Sequence, residues 1–108
     1  MKHKGVKSMI KQFDIISVNH DDYFIVVSNN LVNQNSDTIW VMPITSNEQK
    51  YVTDILLVTK KNIIKGIIDT TQISHLIIEQ CNYKVLDHAQ PRIYKAIVDA
   101  IEAHIEIL

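Results

Sequence analysis

The sequence predicts a mainly β domain, a β-rich α+β chain that ends in one amphipathic helix. Three observations predict it. Ile, Val and Thr fill 35 of 108 positions, 19 of them isoleucine, and β-branched side chains suit pleated, half-buried surfaces. Short apolar runs alternate with polar turns rich in Asn, Asp and Lys. A three- and four-residue apolar spacing sets in only near the C-terminus.

Strand one is read over Phe13 to Asn19, with Phe13, Ile15 and Ser17 on one face and Asp14, Ile16 and Val18 on the other. His20-Asp21-Asp22 makes a tight turn, because Asp supplies local backbone hydrogen bonds. Strand two, Tyr23 to Ser28, completes a hairpin. Residues 29–36 form a polar connector with room for one helical turn. Strand three runs from Asp37 to Thr45, and Pro43 inside it belongs at a bulge or on an unpaired side. Tyr51 to Val58 is strand four, Ile67 to Thr71 strand five after Gly66, and Gln72 to Ile78 a sixth strand or its continuation. Asp87-His88-Ala89-Gln90 fits a capping box, with Pro91 in the first helical turn. Ile93, Ile97, Ala100, Ile101, His104 and Leu108 then make the core-facing stripe. Trp40 is expected in the core or at an interface between subunits, and apolar surface is expected near Trp40 and Met42.

Composition narrows the function. At 108 residues and a hydrophobic fraction of 46%, the chain is one ordered domain. One cysteine, Cys81, leaves no disulfide framework, no cysteine zinc site and no nearby His or Asp to activate a nucleophile. No apolar run approaches the roughly 18 residues of a membrane span, and no apolar segment follows the basic N-terminus, so the cytoplasm is the expected compartment. The net charge of −1 does not announce nucleic acid, although a net value says nothing of local patches. Ten of the eleven basic residues are lysines; Arg92 is the exception. Lys60, Lys61 and Lys65 form one local cluster. There is no Gly-rich phosphate loop, no metal-ligand spacing and no serine elbow.

Two segments carry a resemblance to the MazF/PemK toxin family. Met9-Ile10-Lys11-Gln12-Phe13-Asp14-Ile15-Ile16-Ser17-Val18 is similar to the family's opening strand. Ile25-Val26-Val27-Ser28-Asn29, a polar gap, and Thr38-Ile39-Trp40-Val41-Met42-Pro43-Ile44-Thr45-Ser46 resemble its V-V-S-N and V-x-P-I-T-S segments. Gly66-Ile67-Ile68-Asp69-Thr70-Thr71-Gln72-Ile73 and the last helix echo it more weakly. The resemblance spans residues 9–108 as a single domain and leaves 1–8 as a variable lead-in, with Met9 a plausible alternative start.

The resemblance implies a small SH3-like β-barrel with a C-terminal helix, a homodimer, and a cofactor-free, metal-independent endoribonuclease that cuts single-stranded RNA. It implies RNA and a cognate antitoxin peptide as partners. Gyrase poisons of the CcdB kind share the barrel, but Pro43-Ile44-Thr45-Ser46 points away from them. The chain also departs from the family. The Gly-rich first loop has shrunk to His20-Asp21-Asp22, and Tyr23 and Phe24 stand where the family has Arg and Pro. A barrel that has lost catalysis and only binds RNA or an antitoxin peptide is the alternative.

RNA cleavage by the ribose 2′-OH needs a base, an acid and a donor for the pentavalent phosphate. Thr45 matches the family threonine and is the expected phosphate donor. His20, in the shortened turn, is the candidate acid or base. Ser46, Lys50 and Tyr23 are candidate RNA-binding residues: a hydroxyl, a cation for phosphate, and a ring for a splayed base. His75, His88 and His104 are weaker candidates, His88 at the helix start and His104 packed on its apolar stripe.

Overall fold

The computed structural model describes residues 10–46 and 53–105. Every residue of β1 (Asp14–Val18) is buried, on both faces of the strand. This is why its sequence shows only a blurred alternation. Ile15 packs into one apolar cluster with Ile25, Met42, Ile68 and Ile97. Ile16 and Val18 pack into a second, with Val26, Ile39, Val41 and Ile78. A fully buried isoleucine stabilises by about 1.5–3 kcal/mol relative to an exposed one, so the central strand anchors two cores at once.

The strands that surround it are β2 (Asp22–Val26), β3 (Thr38–Thr45), β4 (Ile55–Leu56), β5 (Ile67–Ile68), β6 (Ser74–Ile77) and β7 (Tyr83–His88). They form an antiparallel sheet in the order β4-β5-β3-β2-β1-β7, with β6 also paired to β3. The sheet is open rather than a closed barrel. Its two ends meet through one bridge, Thr59 with Ala89, and the Lys60 amide donates to the His88 carbonyl. The expected barrel is thus realised as a curled sheet.

The turn between β1 and β2 is Asn19–Asp21, one residue earlier than the sequence suggests. Asn19 and His20 both take positive φ, 54° and 79°, the backbone twist that tight hairpins favour. The connector after β2 does contain a helical turn, α1 (Asn30–Asn35), whose first turn is capped by the Asn29 side chain accepting from the Val32 amide. Ser28 ties this connector down. Its hydroxyl donates to Asn33 Oδ1 and accepts from the Trp40 amide, while Asn33 Nδ2 donates to the Ser28 carbonyl. The Val-Ser-Asn segment is therefore a structural joint between β2 and β3.

Pro43 lies where the neighbour of β3 changes. Pairing with β6 ends at Val41–Ser74 and pairing with β5 begins at Ile44–Ile68. The Pro43 carbonyl accepts from Asp69, so its missing N–H falls on that same side, at the gap between the two partners.

The C-terminal region departs most from expectation. Asp87 and His88 do not open a helix; they end β7, which pairs with β1 from Val18–Tyr83 to Asp14–His88 with a bulge between Ile15 and Ile16. The buried Asp87 carboxylate accepts from the amides of Lys61, Ile63 and His88, and holding a loop outweighs capping a helix. Pro91–Ile93 is a 3-10 turn without a side-chain cap, and α2 follows over Tyr94–Ile105. Its Ile97 and Ala100 are buried, and its Ile101 and the preceding Ile93 are half-buried, as the spacing predicts. His104 is exposed rather than packed, its Nε2 facing the Thr70 and Thr53 hydroxyls at 3.3 and 3.5 Å. Strand four shortens to β4 among the described residues; Tyr51, Val52 and Leu108 lie outside them.

Trp40 is 46% exposed, its ring tilted against His75 at a centroid distance of 4.8 Å. It belongs to neither core cluster. Met42, expected near the same open surface, is fully buried. As residues i and i+2 of β3 the two lie on one side of the strand, but Met42 falls within the first core cluster and Trp40 beyond its edge, beside Gln12, Val27 and Ile73.

Candidate functional site

Register gathers most of the predicted site residues at one end of the sheet. Phe24 pairs with Pro43, so the start of β2 and the end of β3 run out together. That end carries the His20 turn, Tyr23 on β2, and Thr45 and Ser46 at the exit of β3. Thr45 pairs with Ile67 on its other side and is half-buried, whereas Ser46 is exposed. His20 is exposed, with Nε2 3.4 Å from Asn82 Nδ2. Tyr23 pairs with Ser17 in β1 and leaves 37% of its surface open. No hydrogen bond joins any two of these side chains among the described residues. Lys50 lies outside them.

Gly66 shapes this end. A Cβ there would stand 2.5 Å from the Thr45 carbonyl oxygen and 2.9 Å from Ile44 Cγ2. Only a residue without a side chain lets the loop before β5 lie flat on the exit of β3. The position of Thr45 is therefore fixed on its β5 side, by the pairing with Ile67 and by this contact with the preceding Gly66. A rigid strand end that presents a hydroxyl is suited to bind an anionic oxygen.

The opposite end of the sheet holds a second polar constellation, which sequence reasoning missed. His88 Nδ1 lies 2.8 Å from Asp14 Oδ1, and its Nε2 lies against the Tyr94 hydroxyl. A carboxylate only accepts, so Nδ1 carries the hydrogen, and in the neutral ring Nε2 accepts from Tyr94. The second Asp14 oxygen accepts from the Lys11 amide. Tyr94 also stacks on Phe13, with centroids 4.1 Å apart. Burial, helped by the Asp14 charge, raises the Tyr94 pKa and keeps it a donor. The chain Asp14–His88–Tyr94 fastens β1, β7 and α2 together. Its members are 74 residues apart in sequence for Asp14 and His88, and no local spacing signals that contact.

Arg92 stands at the start of the helix, where its Nε donates to Gln90 Oε1. Cys81 is half-buried and free. Beside Trp40, a groove of about 280 Å³ opens between Val27, Ser28, Val32, Ile73 and Ile101. No helix among the described residues is long and apolar enough to cross a membrane.

A family model described as PemK-like, MazF-like toxin of type II toxin-antitoxin system matches residues 11–105. The chain belongs to that family. No curated protein sequence matches it significantly. Among solved structures, it is similar to an endoribonuclease from a mycobacterial species, at 15% identity and a TM-score of 0.77, over 88% of this chain and 89% of that one. It is similar to the MazE–MazF complex of Deinococcus radiodurans, at 14% identity and a TM-score of 0.78, over 87% and 93% of the two chains. It also resembles a mycobacterial endoribonuclease in complex with its cognate antitoxin, at 14% identity and a TM-score of 0.76, over 88% and 93%. At such identity these likenesses establish a shared MazF-like fold. Tyr23 is exposed at the start of β2, and Phe24 is half-buried against the second core cluster.

Proposed function

We propose that this MazF/PemK-like chain is the toxin of a bacterial type II toxin–antitoxin pair, an endoribonuclease that cuts single-stranded RNA as a homodimer. The observation that carries the reading is Thr45, held at the exit of β3 by its Ile67 pairing and the adjoining Gly66 backbone, at the same end of the sheet as the His20 turn. In this reading the ribose 2′-OH attacks the adjacent phosphorus, and the 5′-oxygen of the next nucleotide leaves. The products are a 2′,3′-cyclic phosphate and a 5′-hydroxyl. Thr45 donates to a non-bridging oxygen as charge grows on the pentavalent phosphate. His20, exposed in its turn, moves a proton at the attacking or the leaving oxygen. Ser46, Lys50 and Tyr23 hold the strand, and water rather than a metal or cofactor surrounds the reacting group. The exposed Trp40 face is the proposed contact with the second copy, and an antitoxin peptide silences the groove.

The test is incubation of the antitoxin-free protein with a long RNA in the presence of a chelator, followed by mapping of the cut ends. Removing one donor to the developing charge costs about 2–4 kcal/mol, or a hundredfold and more in rate. Thr45→Ala is expected to slow cleavage by that order with an unchanged melting temperature, and Arg92→Ala to leave it within a few fold. A Thr45→Ala protein that cuts at the parent rate removes Thr45 from the site.

A second reading keeps the barrel and discards the reaction. The observation that favours it is that Tyr23 and Phe24 occupy the start of β2 while the chain's sole arginine, Arg92, is spent on Gln90. A parent protein that binds RNA or an antitoxin peptide, yet releases no fragments, establishes that reading instead.

A further inference from the structure

Residues 59–66, Thr-Lys-Lys-Asn-Ile-Ile-Lys-Gly, carry three lysines and no acid. All three lysines are exposed, and none of their ammonium groups is in an ion pair among the described residues. On a chain of net charge −1, this is a local excess of positive charge.

The loop is also held in one shape. Its first residue bridges to Ala89, and the Gln90 side chain donates to the Thr59 carbonyl. The Thr59 hydroxyl accepts from the Asn62 amide, and Asn62 takes a left-handed φ of 57°. Beneath the loop the Asp87 carboxylate, 4% exposed, accepts from the Lys61 and Ile63 amides. That carboxylate is already occupied by backbone donors and the Thr59 hydroxyl, so it fixes the lysines' backbone without pairing with their side chains. At its far end the loop arrives at Gly66, pressed on the Thr45 carbonyl. Lys65 therefore flanks the exit of β3, and Lys60 and Lys61 sit beside the end of β7, at most roughly 17 Å along the chain.

We infer that the Lys60–Lys65 loop is a track for the phosphates of single-stranded RNA, leading the strand toward or away from Thr45; the inference rests on the RNA reading given above. Lysine offers a flexible point charge without the planar fork that reads base edges. The track grips the backbone and adds affinity without choosing a sequence.

The test measures binding of a fluorescent 2′-O-methyl RNA, which cannot be cleaved, as a function of salt. Each phosphate contact on a single strand contributes about 0.7 to the slope of log affinity against log salt. The triple change Lys60→Gln, Lys61→Gln, Lys65→Gln is expected to lower that slope by about 2 and to weaken binding at low salt at least tenfold. The control Lys84→Gln, Arg92→Gln, Lys95→Gln removes the same charge elsewhere and is expected to leave the slope within about 0.5. An unchanged slope in the loop variant overturns the inference. So does an equal fall in the control, which marks diffuse attraction, or competition by polyglutamate at RNA-like concentrations, which marks an acidic protein partner. A parent that cuts RNA while the loop variant keeps its slope refutes the track alone. A parent that cuts nothing while the slope still falls refutes the nuclease alone.

Discussion

The two ends of the sheet are built on opposite terms. At the end that holds Asp14, His88 and Tyr94, a buried carboxylate and two half-buried side chains each have a close polar partner. At the end that holds His20, Tyr23, Thr45 and Ser46, the side chains are exposed or half-buried, and among the described residues no hydrogen bond joins one to another. The first arrangement resists change because an abandoned buried partner is costly. The second leaves its side chains open to a ligand. A shallow set without mutual contacts is the better candidate for binding, and an internally paired one for stability.

The sharpest way to break this comparison is Gly66→Ala, because Gly66 is the point where packing and the candidate site coincide. Its new Cβ meets the Thr45 carbonyl at 2.5 Å, so the backbones of β3 and the loop must part. Overpacking of this kind costs about 1–3 kcal/mol, and a displacement of about 1 Å at a reacting group costs about a hundredfold in rate. Urea unfolding and single-turnover cleavage are both expected to fall. A variant that loses stability and keeps its rate would show that Thr45 does not depend on this contact.

Asp14→Ala addresses the other end alone. It leaves His88 Nδ1 and the Lys11 amide without their acceptor. The expected loss is about 1–3 kcal/mol of stability, with the RNA cleavage rate per folded molecule unchanged. Denaturant midpoints and active-site-normalised rates separate the two. A cleavage rate that drops with full folding would join the two ends functionally.

Acid gives the smallest effect and the finest one. Burial pushes the Asp87 carboxyl up, but the Thr59 hydroxyl and the Lys61, His88 and Ile63 amides together outweigh it and hold it below the usual range. A carboxyl depressed by folding contributes stability that is fully present above its ordinary pKa, about 4, and is lost as pH falls through the lower folded value. The parent is expected to lose its margin over Asp87→Asn progressively below about pH 4. Urea midpoints of both proteins at neutral and acid pH check this; a margin that stays constant to acid removes Asp87 as the organiser of the Lys60–Lys65 loop.

The positions of most strands were legible in the chain, and so was the amphipathic helix, because alternation and three-to-four spacing are local. The Thr45 neighbourhood was legible by resemblance alone, and Lys50 falls outside the described residues. The seventh strand was not legible. Tyr83 to His88 ends in residues that also suit a helix start, and Asp87 has the chemistry for either task. The choice went to β7 because an unpaired β1 edge and a loop of open amides lay within reach, and both are satisfied by the same strand.

The sequence by itself determined that the chain would form strands, where most of them would turn, and which face of the last helix would be buried. Those properties follow from side-chain branching and periodicity over a few residues. Tertiary structure alone decided that Trp40 stands outside the cores while Met42 lies within one. It alone joined Asp14 to His88 and Tyr94, and set Gly66, with Lys65 before it, against Thr45. These outcomes depend on contacts between residues far apart in the chain, and the energy of such a contact exists only once the sheet has curled to bring its partners together.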